Sequence, residues 1–168
     1  WLAAQAKAGY YPTPLPVVRL LREMIQFPSG PFAALDPCCG TGEALAEFLA
    51  GSQGRGYGIE LDQKRAEEAR KKLYRVIASP FEYCQVSQSS LSVLWLNPPY
   101  DHEADSAPDK KLLRQEYTFL TASTRLLVSG GLLFYIVPQH MLADRHVAEY
   151  LALRHTGLRV SAFPEEVN

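Results

Sequence analysis

A mostly parallel α/β sheet with helices on both faces is the fold class this sequence predicts. Three observations predict it. Short apolar runs alternate with stretches of helical periodicity along nearly the whole chain. A glycine-bearing turn, Asp36-Pro37-Cys38-Cys39-Gly40-Thr41-Gly42, follows the first such run and opens a helix. Finally, 168 residues at 47% hydrophobic content can bury one substantial core, which favours one domain over residues 1–168.

The elements follow in order. Val17, Leu20, Leu21, Met24 and Ile25 make one helical face. Phe32 to Leu35 is a first strand, and Ala44 to Leu49 the helix after it. Gly56 to Ile59 is a second strand. Asp62 then caps a helix whose Glu67/Lys71 and Glu68/Lys72 pairs have the favourable i,i+4 orientation. Phe81 to Val86 is the expected third strand, although Gln and Ser interrupt it. Leu91 to Leu96 is the fourth. The polar, acidic stretch 102–108 reads as a mobile loop. Leu113, Tyr117, Leu120 and Leu127 continue as a long helix, and Gly131 to Val137 is a fifth, fully buried strand. A helix over about Ala143 to Arg154 and a sixth strand, Leu158 to Phe163, close the chain, so a last strand of the sheet is expected to be missing. No internal repeat or low-complexity tract is present.

Charge is balanced, 17 Lys+Arg against 18 Asp+Glu, with no polybasic block. A nucleic-acid grip spread over the whole surface needs clustered cations and is disfavoured, but a local groove is not. Vicinal Cys38-Cys39 lacks zinc-ligand spacing, and with Cys84 reads as reduced thiols in a cytoplasmic protein. His102, His140, His146 and His155 show no metal-binding pattern, so no metal is expected. No signal peptide or long apolar run points to export or a membrane. A start at Trp1 and a stop at Asn168, just after an expected strand, suggest a fragment of a longer polypeptide.

The chemistry gathers at two strand ends. Gly40 and Gly42 allow a tight turn and close backbone approach to a nucleoside ligand. Glu60 ends the second strand about 20 residues later, where an acid in a nucleotide-binding sheet accepts from ribose hydroxyls. Leu45 stands where a dinucleotide fingerprint wants its third glycine, and no Gly-Lys-Ser/Thr is present for a P-loop. A loop with Asp36 beside it suits a cationic ligand without phosphate. S-adenosylmethionine (SAM) fits, with a positive sulfonium and amino group and a ribose for Glu60. At the other strand end, Asn97-Pro98-Pro99-Tyr100 follows Leu91 to Leu96. Each proline fixes φ and lacks an N–H, so the segment cannot continue the ladder. The Asn97 side-chain oxygen and the Pro98 carbonyl are placed to accept both hydrogens of a planar NH2 group, and Tyr100 to stack on the ring that carries it.

These segments resemble class I SAM-dependent amino-methyltransferases, specifically the gamma arrangement of N6-adenine DNA methyltransferases. The resemblance runs from about Tyr10 to Phe163. Asp36 to Gly42 is similar to the family's donor motif, Gly58-Ile59-Glu60-Leu61-Asp62 to its second motif, and Asn97 to Tyr100 to its catalytic motif. Tyr11-Pro12-Thr13-Pro14 resembles the segment that precedes the donor motif and helps hold SAM. The resemblance implies a Rossmann-like sheet and SAM as methyl donor. It implies donor contacts from Tyr11, Thr13, Pro14, Asp36, Pro37, Cys38, Gly40, Gly42, Glu60, Leu61, Phe81 and Asn97, and catalysis by Asn97, Pro98, Pro99 and Tyr100. It implies DNA as partner with the target adenine flipped out, in an orphan or mobile-element-type enzyme or the catalytic part of a larger modification protein.

Two departures stand out. An acid near the third strand, which would hold the adenine of SAM, is missing at Ser79-Pro80-Phe81. No target-recognition domain is visible, so a protein partner or a missing recognition domain is expected to supply specificity. Other readings stay open: transfer to a protein glutamine amide or an RNA guanine amino group, or an inactive SAM-binding regulatory module. Asp36 also reads as a helix cap, and Thr13-Pro14 as a helix start with proline in the first turn.

Overall fold

The computed structural model describes residues 11–99 and 109–163. Tyr10, Tyr100 and the acidic loop 102–108 lie outside the described residues. Five strands form one wholly parallel sheet in the order β3-β2-β1-β4-β5. They are β1 (Phe32–Asp36), β2 (Gly54–Glu60), β3 (Arg75–Ala78), β4 (Leu91–Leu96) and β5 (Leu127–Tyr135). Pairing runs from Phe32↔Gly54 to Asp36↔Gly58 between β1 and β2, and includes Ala34↔Val93 between β1 and β4. The order reverses between β1 and β4, and in open parallel sheets ligands bind outside the carboxyl ends at such a switch point.

Helices cover both faces. Before β1 runs α1 (Leu15–Glu23); α2 (Glu43–Leu49) follows β1, and α3 (Gln63–Ala69) follows β2. After β4 comes α4 (Asp109–Thr124), and after β5 come α5 (Gln139–Ala143) and α6 (Arg145–Arg154). Two aspartates start helices as acceptors for otherwise unpaired N–H groups. Asp62 accepts from the Arg65 N–H at 2.9 Å, and Asp144 from those of His146 and Val147.

Alternation along β4 builds two cores. Val93 and Trp95 join Val18, Leu45, Phe48, Ala66 and Ala69 on one face, while Leu94 and Leu96 join Leu35, Ile59, Leu120, Met141 and Val147 on the other. Phe48, Trp95 and Phe134 form an aromatic triad with ring centroids 4.8 to 5.2 Å apart. Cutting a fully buried Phe48 to Ala costs about 3–5 kcal/mol at such a site.

Several sequence expectations need correction. The third strand is Arg75–Ala78; Phe81–Tyr83 is a 3-10 turn entered from Pro80. Arg-Val-Ile-Ala carries the β-branched pair that suits a pleat, whereas Pro80 has no N–H for a ladder. The long helix stops at Thr124, with the Ser123 and Thr124 hydroxyls donating back to the Phe119 and Leu120 carbonyls. Leu127 therefore begins β5, which is half-buried rather than fully buried, because among the described residues β5 is the sheet's edge. Residues 158–163 form no strand, and Leu158 and Val160 stand exposed.

On α1 the inward stripe is Val17, Val18 and Leu21, and Ile25, just past the helix, packs against the core. Leu20 is exposed, as is Met24, which lies past the last helical residue. Helix α3 ends at Ala69, so Lys72 pairs with Glu43 at 3.4 Å instead of Glu68. Among the described residues no helix is long and apolar enough to cross a membrane.

Candidate donor and acceptor site

At the carboxyl ends of β1, β2 and β4 lies a cavity of about 320 Å³, within the range of small-molecule sites. Its floor is the turn after β1. Gly40 and Gly42 have φ of +54° and +76°, which a side chain disfavours, and a Cβ on Gly42 would meet Ala69 at 3.1 Å. Hydrogen bonds from its backbone tie the turn down. Cys38 N–H donates to Asp36 Oδ1 at 2.9 Å, Cys39 N–H to the Ile59 carbonyl at 2.9 Å, and Gly40 N–H to Glu60 Oε2 at 2.8 Å.

Two buried carboxylates therefore face this cavity from adjacent strand ends, Asp36 at 3% exposure and Glu60 at 5%. Glu60 Oε1 accepts from Asp62 N–H at 2.8 Å and from the Arg65 guanidinium at 2.7 Å and 3.1 Å. A carboxylate has about four lone-pair sites, and Oε2 keeps capacity beyond its bond to Gly40. Asp36 has no cation of its own among these contacts. Its pKa is raised from 3.8 to about 8, chiefly by burial, with Glu60's charge adding and the Cys38 N–H opposing. An incoming cation is what such a carboxyl lacks. Burial, then the negative fields of Asp36 and Glu60, push the Cys38 thiol well above the ordinary range, and Cys39 likewise. Both are neutral thiols and poor nucleophiles.

Asn97 stands on the opposite wall, directly after β4. Its Nδ2 donates to the Tyr11 carbonyl at 2.7 Å and to Thr13 Oγ1 at 3.2 Å. Pro98 is buried and Pro99 exposed; both line the cavity.

The structure brings Tyr11, Thr13, Asp36, Pro37, Cys38, Glu60, Leu61, Phe81, Asn97, Pro98 and Pro99 into one lining. Gly40 and Gly42 shape the turn without lining the cavity, and Pro14 caps α1, accepting from the Val18 N–H at 3.1 Å. Asp36 does not cap α2, whose first turn is entered from Gly42.

Sequence reasoning missed Arg65, Glu82 and Phe119, which also line the cavity. Phe119 stacks on Phe81 with centroids 5.4 Å apart and planes 21° apart. Glu82 lies in the 3-10 turn, three residues beyond Ser79, and only recognition of that turn would have brought it to the wall. Trp95 contributes a buried indole Nε1–H without a hydrogen-bond partner. A second cavity of about 360 Å³, lined by Arg22, Phe27, Pro28 and Gln53 among others, sits at the opposite end of the sheet and has no acid in its wall. Among the described residues no group of three or more His, Cys, Asp or Glu is arranged to hold a metal ion.

Several known proteins are similar to this chain. The type II restriction enzyme and methyltransferase RM.BcgI of Heyndrickxia coagulans is 26% identical over 162 residues, covering 82% of this chain and 25% of that protein. The tRNA (guanine(10)-N2)-dimethyltransferase of Methanothermobacter thermautotrophicus is 30% identical over 129 residues, 71% of this chain and 37% of that protein. The chain thus spans well under half the length of either relative.

An RNA methyltransferase from Salinibacter ruber, solved with S-adenosyl-L-homocysteine, superposes with a TM-score of 0.52 at 20% identity, over 70% of this chain and 71% of that one. A SAM-dependent methyltransferase from Leishmania major gives 0.55 at 16% identity, over 71% and 48%. These identities speak for the fold alone, which is that of class I methyltransferases. Residues 1–165 match the model of an uncharacterised methyltransferase family. On that match the chain belongs to the methyltransferase family DUF6094.

Proposed function

We propose that this protein is a SAM-dependent N-methyltransferase acting on a planar amino nitrogen, with N6 of adenine in DNA as the leading acceptor. The observation that carries the reading is the orientation of Asn97. Its amide nitrogen is committed to the Tyr11 carbonyl and the Thr13 hydroxyl, across the cavity that also holds Asp36 and Glu60. A carboxamide held by its nitrogen offers its oxygen as the acceptor end.

The residues present fit the donor. Buried Asp36 lacks a cation, Glu60 Oε2 has capacity for a ribose hydroxyl, and Phe81 offers a ring to the adenine with Glu82 in reach of the same wall. When bound, SAM would supply an electrophilic methyl carbon on sulfur, and the acceptor nitrogen would take that methyl while the C–S electron pair went to sulfur. A planar NH2 is a poor nucleophile because its lone pair is delocalised into the ring. Acceptance of its two hydrogens by Asn97 Oδ1 and the Pro98 carbonyl draws the nitrogen toward tetrahedral geometry and localises that pair. Holding that nitrogen in place beside the donor would supply much of the remaining acceleration through proximity. The proton leaves the nitrogen after transfer, so no strong general base is required.

The similarity to RM.BcgI supports DNA as the acceptor, and so does the presence of Tyr11 to Pro14 ahead of α1 and the donor turn. The similarity to a tRNA guanine-N2 enzyme favours a second reading, in which Asn97 and Pro98 receive the exocyclic amine of guanine in RNA. Incubation with tritiated-methyl SAM and separate pools of DNA, RNA and protein tests the choice. Label in DNA alone is expected; label in RNA alone supports the second reading, and label in none overturns both.

A further inference from the structure

Asn97 is held by a segment far away in sequence. The Tyr11 carbonyl and Thr13 Oγ1 receive its amide hydrogens from positions 86 and 84 residues earlier. Thr13 is only 5% exposed, although it precedes α1 and carries a hydroxyl. Burying a hydroxyl is unfavourable without a hydrogen-bond partner, and the Asn97 amide supplies one.

The two ends of an asparagine amide are nearly the same size, so packing alone scarcely distinguishes them. Chemistry does. A main-chain carbonyl only accepts, so the amide must show its nitrogen to Tyr11 and its oxygen to the other edge. Turned by half a rotation, Asn97 would confront an acceptor amine with N–H against N–H. Each hydrogen bond biases the rotamer by roughly two- to tenfold.

We propose that Thr13 is a positioning residue: with the Tyr11 carbonyl it locks the amide of Asn97 in the one sense that can accept from an amino group. The inference rests on the reading of Asn97 as the acceptor of that group. It assigns to Thr13 a task distinct from contact with the methyl donor. The segment ahead of α1 thereby sets the geometry at the end of β4, which explains why a polar side chain is buried there.

Thr13→Val removes the acceptor at nearly constant shape, and Thr13→Ser restores it. Two measurements decide. The first follows the side-chain NH2 resonances of Asn97 by nitrogen-15 NMR, assigned by their loss in Asn97→Asp. The second separates kcat from SAM affinity on the nucleic acid that accepts label. The expected result is that Thr13→Val moves the Asn97 resonances and lowers kcat by about two- to tenfold, with the Kd for SAM within about threefold. Thr13→Ser should recover both.

Unmoved resonances in Thr13→Val overturn the lock, as does a rise in the SAM Kd at constant kcat, which would make Thr13 a donor contact. Loss in Thr13→Ser equal to that in Thr13→Val also overturns it, since the methyl group would then be what matters. A wild-type protein that labels no pool defeats the proposed reaction. The resonances then judge the lock alone: moved by valine and restored by serine they support it, and otherwise they overturn it.

Discussion

The backbone N–H of Gly40 donates to Glu60 Oε2 at 2.8 Å, joining the turn after β1 to the end of β2 across 20 residues. The same carboxylate carries the Arg65 guanidinium on its other oxygen at 2.7 Å. Glu60 is thus a structural keystone of the cavity as well as a ribose acceptor in the proposed function. Glu60→Ala leaves the buried Gly40 N–H without its acceptor, while the Arg65 side chain, a quarter exposed, can turn to water, so the change is expected to cost about 1–3 kcal/mol of stability. Glu60→Gln keeps an acceptor oxygen for Gly40 and is expected to cost less. Urea unfolding of both variants checks the order.

Asp36 makes stability depend on pH. Its carboxyl titrates at about 8 in the folded chain against 3.8 for the free group, so the folded state holds a proton that the unfolded chain has released. The contribution is complete below the unfolded value and is lost as pH rises through the folded one. Asp36→Asn removes this dependence, so its melting temperature is expected to gain on the wild type as pH rises from about 4 to about 8. A parallel course for the two proteins would contradict the assignment. In the proposed donor site a cation re-ionises Asp36, so SAM binding releases a proton, and calorimetry in buffers of different ionisation enthalpy reads it.

Trp95 is fully buried, packed on Phe48 and Phe134, with its indole N–H unpaired. An unsatisfied buried donor costs about 1–3 kcal/mol. Trp95→Phe removes the donor while keeping most of the ring, and the two effects are expected to leave stability within about 1 kcal/mol of wild type. Trp95→Ala empties the aromatic triad and is expected to cost about 3–5 kcal/mol. A loss in Trp95→Phe as large as that in Trp95→Ala would contradict this offset.

The wall that faces the adenine in the proposed function is Phe81 on Phe119, with Glu82 beside it. Phe81→Ala is expected to weaken SAM binding by about tenfold, from lost stacking and apolar area. Glu82→Gln is expected to weaken it less and to spare kcat. Titration calorimetry with SAM distinguishes them, and a Glu82→Gln effect confined to kcat would contradict this placement.

The strands that flank the site were legible in the sequence because each carries its own local signal. Leu91 to Leu96 is bounded by Ser90 and by Asn97-Pro98, and the prolines end it at the position observed. Phe32 runs into Asp36 and a glycine turn whose positive φ angles leave little choice of residue. What the sequence concealed is what depends on neighbours. Phe81 to Val86 has the apolar content of a strand, but Pro80 deprives it of a ladder donor and Arg75–Ala78 takes the place beside β2.

In a strand Glu82 would alternate away from Phe81, whereas the 3-10 turn brings both to the cavity. Arg65 was hidden for a different reason: its partner Glu60 lies on another element, and periodicity carries no record of such a pair. The hydrogen bonds from Asn97 to Tyr11 and Thr13 span more than 80 residues and depend entirely on the fold.

The product formed with and without the Asn97 amide decides whether Asn97 accepts from the amine that is methylated. The wild-type protein and Asn97→Ala are each incubated with tritiated-methyl SAM and duplex DNA, the DNA is digested to nucleosides, and SAM affinity is measured in parallel. Labelled N6-methyl-2′-deoxyadenosine is expected from the wild type, its loss by more than about a hundredfold in Asn97→Ala, and a SAM Kd changed by no more than a few-fold. Label on a carbon or on an oxygen, or an Asn97→Ala protein that transfers normally, would contradict it.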